Sequence, residues 1–443
     1  MIASLAKQSW DCIVIGGGSA GHAFATRAAD FGALVLLVEA RDLGGTCVNR
    51  GCVPKKLMWK AGHVANDVND MADMGVVSDE RHVDWVSLSK LIGRKVSGLK
   101  EEFRAALDAS GVSVIEGRAT VSEDMSVEVE GHSFSADRIV LATGAEAVPL
   151  DISGQALASL SDDVFHWPDW PDDLLIVGGG YIGCEFAAIA TALGSRVTLV
   201  NDGIRVLDGF DADAAAFVEA RLRDLGVDIK DETELVHLEG RGTARVATLS
   251  TGEERQLDQV LIAVGRTANL NAVAALEQRL TLALSGALCV DERFETSVSG
   301  LYAIGDVADR LPLTPVATRD GGVLADILFG SGGTPIDLNR VARTAFVYPP
   351  VSQVGQVGAK GTLRTEKGTD LYGGVLRSHG PCRLFHKLVF DEHGQLQLAC
   401  LSGEGAEDSI AVLAAMMGQG PAQTLLCEAT GIHPSFSEEF VGT

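Results

Sequence analysis

The feature that most constrains the fold is a duplication. Residues 11–40 (DCIVIGGGSAGHAFATRAADFGALVLLVEA) and 172–202 (DDLLIVGGGYIGCEFAAIATALGSRVTLVND) share one layout: a short apolar run, clustered glycines, a helical stretch and a second apolar run. The first copy predicts a strand ending at Ile15, a helix to about Phe31 and a strand ending at Glu39. The second predicts a strand ending at Val177, a helix to about Leu193 and a strand ending near Asn201. Apolar strands alternating with helices build a parallel sheet, so the expected class is α/β with two Rossmann-like halves. The glycines are spaced Gly16-x-Gly18-x-x-Gly21 and Gly178-x-Gly180-x-x-Gly183. In this setting glycines allow a tight turn and a close approach of backbone to a pyrophosphate, which the helix N-terminus then faces. Glu39, eighteen residues beyond Gly21, is placed to bind a ribose hydroxyl pair, and by spacing Asn201 holds the matching place in the second copy. Two such sites call for two dinucleotides, most simply FAD and a nicotinamide coenzyme.

The remaining segments fill in around these modules. Arg118–Asp137 alternates apolar and polar residues and predicts an antiparallel hairpin. RIVLATG and QVLIAVG each predict a strand running into a glycine turn, and GLYAIGDVAD precedes a helical stretch from about Thr314 to Phe329. SGGTPIDL (331–338) reads as a boundary, followed by an α+β unit with strand-like runs at Leu384–Phe390 and Gln395–Leu401 and a helix around Ser409–Met417. The expected domains are 1–150 and 269–332 for FAD, 151–268 for the nicotinamide coenzyme and 333–443 for a subunit interface.

With 443 residues the chain is long enough for two to four domains, and 46% hydrophobic with 22% charged residues excludes wholesale disorder. A net charge of −24 argues against nucleic acid and anionic membranes as partners. The most apolar stretch, Leu174–Leu193, is broken by Gly178–Gly180 and Glu185, so no membrane span is expected. The N-terminus lacks a basic segment followed by a cleavable apolar core, and a reducing, cytoplasmic compartment is the expected location.

Six of the eight cysteines (Cys12, Cys184, Cys289, Cys382, Cys400 and Cys427) are scattered and read as small buried apolar residues. Cys47 and Cys52 are close together in GGTCVNRGCVP, at the expected start of a helix. In a reducing compartment such a pair is catalytic or metal-binding more often than structural. A zinc site needs a second pair at ligand spacing, which the chain lacks, so no metal is expected. The helix N-terminus, Lys55 and Lys56 all favour thiolate, which suits a redox disulfide beside a flavin.

GGTCVNRGCVPKK, the first glycine motif with Glu39, ATG at 142–144, GGGYIGCE, GDV at 305–307, LTPVA at 313–317 and HPSFSEE at 433–439 together resemble the flavin-dependent pyridine nucleotide–disulfide reductases. Within them the chain most closely resembles glutathione and trypanothione reductases, over nearly its whole length. The resemblance implies that Glu39 binds the FAD ribose and Asp306 the ribityl chain, with Ser19, Thr46, Thr143 and Gly144 also lining FAD. It implies that Lys55 pairs with Glu185 beside the flavin, that Tyr181 covers the nicotinamide, and that Asn201, Asp202 and Gly265 line the coenzyme site. Cys52 would face the flavin as a thiolate and Cys47 would attack the substrate disulfide. His433, held by Glu438, would be the acid–base contributed by the other subunit of a homodimer. The remaining histidines, including His22 and His63, read as structural.

The chain departs from this pattern at two places. Where arginines would grip a coenzyme 2′-phosphate stand Asp202 and Asp208, with Arg205 the remaining cation. Carboxylates repel a phosphate and suit a free 2′-hydroxyl, so NADH is expected over NADPH. Where two arginines would hold glutathione carboxylates stand Thr26 and Gly322, and Phe103, next to Glu102, replaces a tyrosine. Arg27 is about 100° around the helix and a poor substitute, whereas Arg319 lies one turn before Gly322. A less anionic or cationic disulfide is therefore an alternative to glutathione disulfide, and Ser19, Thr26, Glu102, Phe103 and Arg319 are the candidate substrate contacts. The other readings are a dihydrolipoamide-dehydrogenase-type enzyme, disfavoured by Lys56 and the tail, and a flavoprotein that binds or senses without turnover.

Overall fold

The computed structural model describes residues 2–70, 83–242, 244–368, 384–433 and 435–441, and they form two compact units. The first comprises 1–55, 89–147 and 266–338. Its centre is a five-stranded parallel sheet ordered Leu301–Ala303, Ile139–Leu141, Cys12–Ile15, Val35–Glu39 and Ser113–Glu116. Successive residues of these strands face opposite cores, which is why the runs are continuously apolar. Cys12, Val14, Val35 and Leu37 pack with helices Ser19–Asp30 and Thr314–Phe329, through Phe24, Ala25, Leu324 and Ala325. A Cβ at Gly321 would lie 2.4 Å from the Ala20 carbonyl oxygen, so glycine sets how closely these two helices approach.

Ile13, Ile15, Leu36 and Val38 face the other core, which is closed by Val121, Val127, Val129 and Phe134 rather than by a second helical layer. The expected hairpin at 118–137 is a three-stranded meander, Ala119–Val121, Val127–Val129 and His132–Ala136, extended by the parallel strand Ser9–Trp10.

The second unit comprises 56–88, 148–265 and 339–443. Its parallel sheet is ordered Ser159–Leu160, Gln259–Ile262, Asp173–Val177, Arg196–Val200 and Asp228–Lys230. Helix Tyr181–Ala192 buries Gly183 through Ala190, so this copy of the module is apolar almost all round. The C-terminal part is an antiparallel sheet, Arg343–Ala345, Val351–Gly355, Leu396–Ser402, Leu384–Phe390 and Thr362–Gly368. Helix Ala406–Met416 packs on it through Ala406, Ile410 and Leu413. Among the described residues no helix is long and apolar enough to cross a membrane.

Three cysteine expectations need correction or restriction. Cys12, Cys184 and Cys400 are buried, but Cys289 is only half-buried. Cys427 is exposed, because the short helix Ala422–Glu428 buries its Ala422 and Leu426 side instead. Cys382 lies outside the described residues.

Candidate functional site

In the first unit Cys47 lies within the short helix Gly45–Arg50, and Cys52 is the first residue of helix Cys52–Asp70. Cys47 is half-buried and Cys52 exposed. The Cys47 thiol is pushed far above its ordinary range, first by its hydrogen bond with Cys52, then by burial and by the Cys52 charge. Cys52, at a helix N-terminus, is the more exposed of the two sulfurs. Cys52 Sγ also lies 3.5 Å from Thr314 Oγ1, at the first residue of helix Thr314–Phe329.

The chain leading to Cys47 is seated on the first glycine motif. The Gly44 N–H donates to the Gly17 carbonyl at 2.9 Å, and a Cβ at Gly45 would stand 2.8 Å from Gly18 Cα. Glu39 accepts from the Gly17 N–H at 2.6 Å and from the Arg41 N–H at 2.7 Å. Gly18 caps helix Ser19–Asp30 without any side-chain cap, which leaves the first-turn amides to a ligand. A Cβ at Gly18 would meet only Gly45 Cα, at 3.7 Å, so there is room over the turn. These residues fit a pyrophosphate and a ribose. Asp306 is half-buried, and its carboxyl is raised by burial against the opposing Arg266 charge. Its field reaches Cys47, and Arg266 Nη2 lies 3.4 Å from Thr46 Oγ1. Thr143 Oγ1 donates to the Asn269 carbonyl, and the Asn269 N–H donates to that of Gly144, closing the other side of the sheet end.

The candidate substrate residues of this unit are distributed unevenly. The Thr26 hydroxyl donates back to the His22 and Ala23 carbonyls, so its proton is spent within its own helix. Arg27 is held by Asp326 at 2.8 Å and stacks on Phe31. The structure brings Phe103 to the same helix through His22: their ring centroids are 4.4 Å apart. Glu102 and Arg319 are exposed, and nothing crowds the position above Gly322. Asp320, next to Arg319, is fully buried and paired with Arg310 through two contacts at 2.6 and 3.1 Å.

In the second unit Gly180 caps helix Tyr181–Ala192, again without a side-chain cap, and a Cβ there meets nothing within 4 Å. Tyr181 is exposed beside it, and Gly265 closes the neighbouring strand with φ +127°. Asn201 departs from its counterpart Glu39. Its amide donates to the Gly203 and Arg205 carbonyls and to Asp231, so it ties down its own loop. Asp202, Asp208 and Arg205 are all exposed around that loop, and Asp208 accepts from the Gly209 N–H.

Glu185 is buried, and its Oε1 accepts from the Phe346 N–H at 2.9 Å. Phe346 escaped sequence reasoning, as did the cage around Lys56. The Lys56 ammonium lies 3.8 Å from the Trp59 ring centroid, 3.7 Å from that of Phe346 and 3.6 Å from Glu407. Only the Lys56–Trp59 spacing of three on a helix hinted at it. His433 Nδ1 lies 3.0 and 3.1 Å from the two Glu438 oxygens. A carboxylate accepts only, so Nδ1 carries the proton and Nε2 is the nitrogen left for chemistry. Glu438 is itself fixed by a capping box with Ser435.

The family profile described as pyridine nucleotide-disulphide oxidoreductase matches residues 10–321. Glutathione reductase of Burkholderia cepacia is 34% identical over 449 residues, covering 98% of this chain and 98% of that protein. The Nostoc glutathione reductase is 33% identical over 455 residues, with 98% of both covered. The chloroplastic/mitochondrial glutathione reductase of Pisum sativum is 30% identical over 461 residues, covering 98% of this chain and 82% of that protein.

Proposed function

The chain belongs to the pyridine nucleotide-disulphide oxidoreductase family and is a disulfide oxidoreductase, and from that premise we propose that it reduces a low-molecular-weight disulfide of the glutathione type. The observation that carries the reading is the Cys47–Cys52 couple, hydrogen-bonded at a helix N-terminus and packed on the first glycine motif. FAD and a pyridine nucleotide are the cofactors the family implies. When bound, they would carry two electrons from the nicotinamide to the Cys47–Cys52 disulfide. Gly16, Gly18, Ser19, Gly21, Glu39, Thr46, Thr143, Gly144 and Asp306 would hold FAD. Gly178, Gly180, Tyr181, Gly183, Asn201, Asp202 and Gly265 would hold the coenzyme. Lys55 would stabilise the reduced form of the flavin. The discontinuous first unit supports joining 1–55 and 89–147 with 269–332 within the proposed FAD domain, 1–150 with 269–332. We assign 151–268 to the coenzyme and 333–443 to a homodimer interface.

In the reduced pair Cys47 passes its proton to a base and attacks one sulfur of the substrate disulfide. A Cys47–substrate disulfide forms, and the first thiol leaves with a proton from the partner subunit's His433. The Cys52 thiolate then attacks Cys47 Sγ, expelling the second half as a thiolate, which takes a proton from solvent, and restoring the Cys47–Cys52 disulfide. Glu438 holds the imidazole with Nε2 free for this transfer. Two half-reactions joined by a stable reduced enzyme give ping-pong kinetics.

For the coenzyme, the loop after strand Arg196–Val200 carries two exposed carboxylates, Asp202 and Asp208. Negative charge on this loop supports NADH over NADPH. Steady-state kinetics with each coenzyme tests this, and an equal or higher kcat/KM with NADPH rejects it. For the reaction class, Cys47→Ser should keep bound flavin and lose disulfide reduction, whereas retained turnover would refute the assignment.

A further inference from the structure

His22 has a position that a structural histidine does not need. It sits in the first turn of helix Ser19–Asp30, half-buried, one turn before Thr26. Its ring packs against Phe103, and Nε2 lies 3.3 Å from the Phe103 carbonyl oxygen. A carbonyl can only accept, so Nε2 carries the proton and the neutral ring presents a lone pair at Nδ1. Burial pushes the ring below its ordinary range, against the opposing hydrogen bond to Phe103, so the neutral form is the one present at neutral pH. The segment is also next to the redox loop. The Gly18 turn that starts this helix touches Gly45, two residues before Cys47. One turn before Phe103, Lys100 holds Asp42 of the same loop at 2.9 Å. Thr26 and Arg27 are committed elsewhere, whereas the His22 imidazole keeps one ring nitrogen beyond its contact with Phe103.

We propose that His22, stacked on Phe103, is a specificity-determining residue that accepts a hydrogen bond from the substrate. It would favour a glutathione-type disulfide whose glycine carboxylates are capped as amides over the free tetra-acid. This rests on the reading that Phe103 faces the disulfide substrate. A lone pair attracts an amide N–H and repels a carboxylate, whereas a guanidinium does the reverse. The exposed Glu102, beside Phe103, biases the site in the same direction.

The test compares glutathione disulfide and its bis-glycinamide as substrates of the flavin-loaded full chain at mildly alkaline pH. The proposal expects the wild type to prefer the diamide. His22→Leu should raise KM for the diamide roughly fivefold to tenfold, the worth of one hydrogen bond, while kcat and the long-wavelength absorbance of the reduced enzyme stay unchanged. His22→Gln, which keeps an acceptor, should recover most of the loss, and His22→Arg should shift preference toward glutathione disulfide. If the wild type turns over both disulfides and their KM ratio is the same in all four proteins, the role of His22 is wrong and the disulfide-reductase reading stands. If the wild type reduces neither compound, the substrate reading itself fails.

Discussion

The glycines of the second module separate folding from coenzyme binding. A Cβ at Gly183 would stand 1.9 Å from the Gly178 carbonyl oxygen, where ordinary contact begins at 3.4 Å. Gly183→Ala must therefore push helix Tyr181–Ala192 off its sheet by roughly 1.5 Å, and overpacking of this kind costs about 1–3 kcal/mol or more. Gly180 is the opposite case. Its φ of −68° and ψ of 178° suit alanine, and nothing lies within 4 Å of the added carbon. Gly180→Ala should leave stability unchanged or raise it by about 0.4–1 kcal/mol through the unfolded chain. Its methyl group occupies the space that a pyrophosphate over the helix N-terminus needs, so KM for the nicotinamide coenzyme should rise tenfold or more while KM for the disulfide does not move. Urea unfolding of both variants and coenzyme titrations of Gly180→Ala read these effects. An unchanged coenzyme KM in Gly180→Ala would refute the placement of the pyrophosphate, and wild-type stability in Gly183→Ala would refute the packing argument.

Three further predictions follow from charge and burial. Because burial raises the Asp306 carboxyl, the native chain holds that proton more tightly than the unfolded chain, and the resulting stability is lost as pH rises through the native pKa. In calorimetry of the flavin-free protein, Asp306→Asn should therefore melt higher than wild type at neutral pH, converge with it in acid, and retain flavin more weakly. Arg310→Met strands the fully buried Asp320 and should cost about 3–5 kcal/mol in urea unfolding. The deficit should shrink as pH falls, because burial already raises the Asp320 carboxyl, and Asp320→Leu in the same chain should recover most of it. Glu438→Gln removes the carboxylate that fixes the His433 tautomer, so kcat should fall tenfold or more with flavin content unchanged.

Much of the fold was legible because its signals are local. The strands Cys12–Ile15 and Asp173–Val177 and the helix Thr314–Phe329 end where apolar runs meet glycines, and the strands Val35–Glu39 and Arg196–Val200 end where apolar runs meet polar residues. The long helix Trp85–Ala109 has no glycine just before its start, which is set by Asp84, whose carboxylate accepts from the Val86 N–H and the Ser87 hydroxyl. The 118–137 segment gave its alternation, but not its second turn, because three-residue strands are too short for periodicity to count. At the candidate site, spacing singled out Cys47 and Cys52, and the family resemblance of the tail named His433 and Glu438. The sequence could not show that burial and contact with Cys52 raise the Cys47 thiol, that Asn201 is consumed by its own loop, or that His22 meets Phe103. The first is set by burial and a sulfur–sulfur contact, the second by hydrogen bonds within a loop and the third by residues 81 apart, none of which a short pattern encodes.

The most direct test is an anaerobic titration of the flavin-loaded protein with one reducing equivalent of NADH, followed by absorbance beyond the flavin bands. If Cys52 faces the bound flavin as a thiolate, a broad shoulder arises there. That shoulder should appear in the wild type, persist in Cys47→Ser and vanish in Cys52→Ser. No shoulder in any of the three proteins, or one that outlasts the loss of Cys52, would contradict the route of electrons through this sulfur pair.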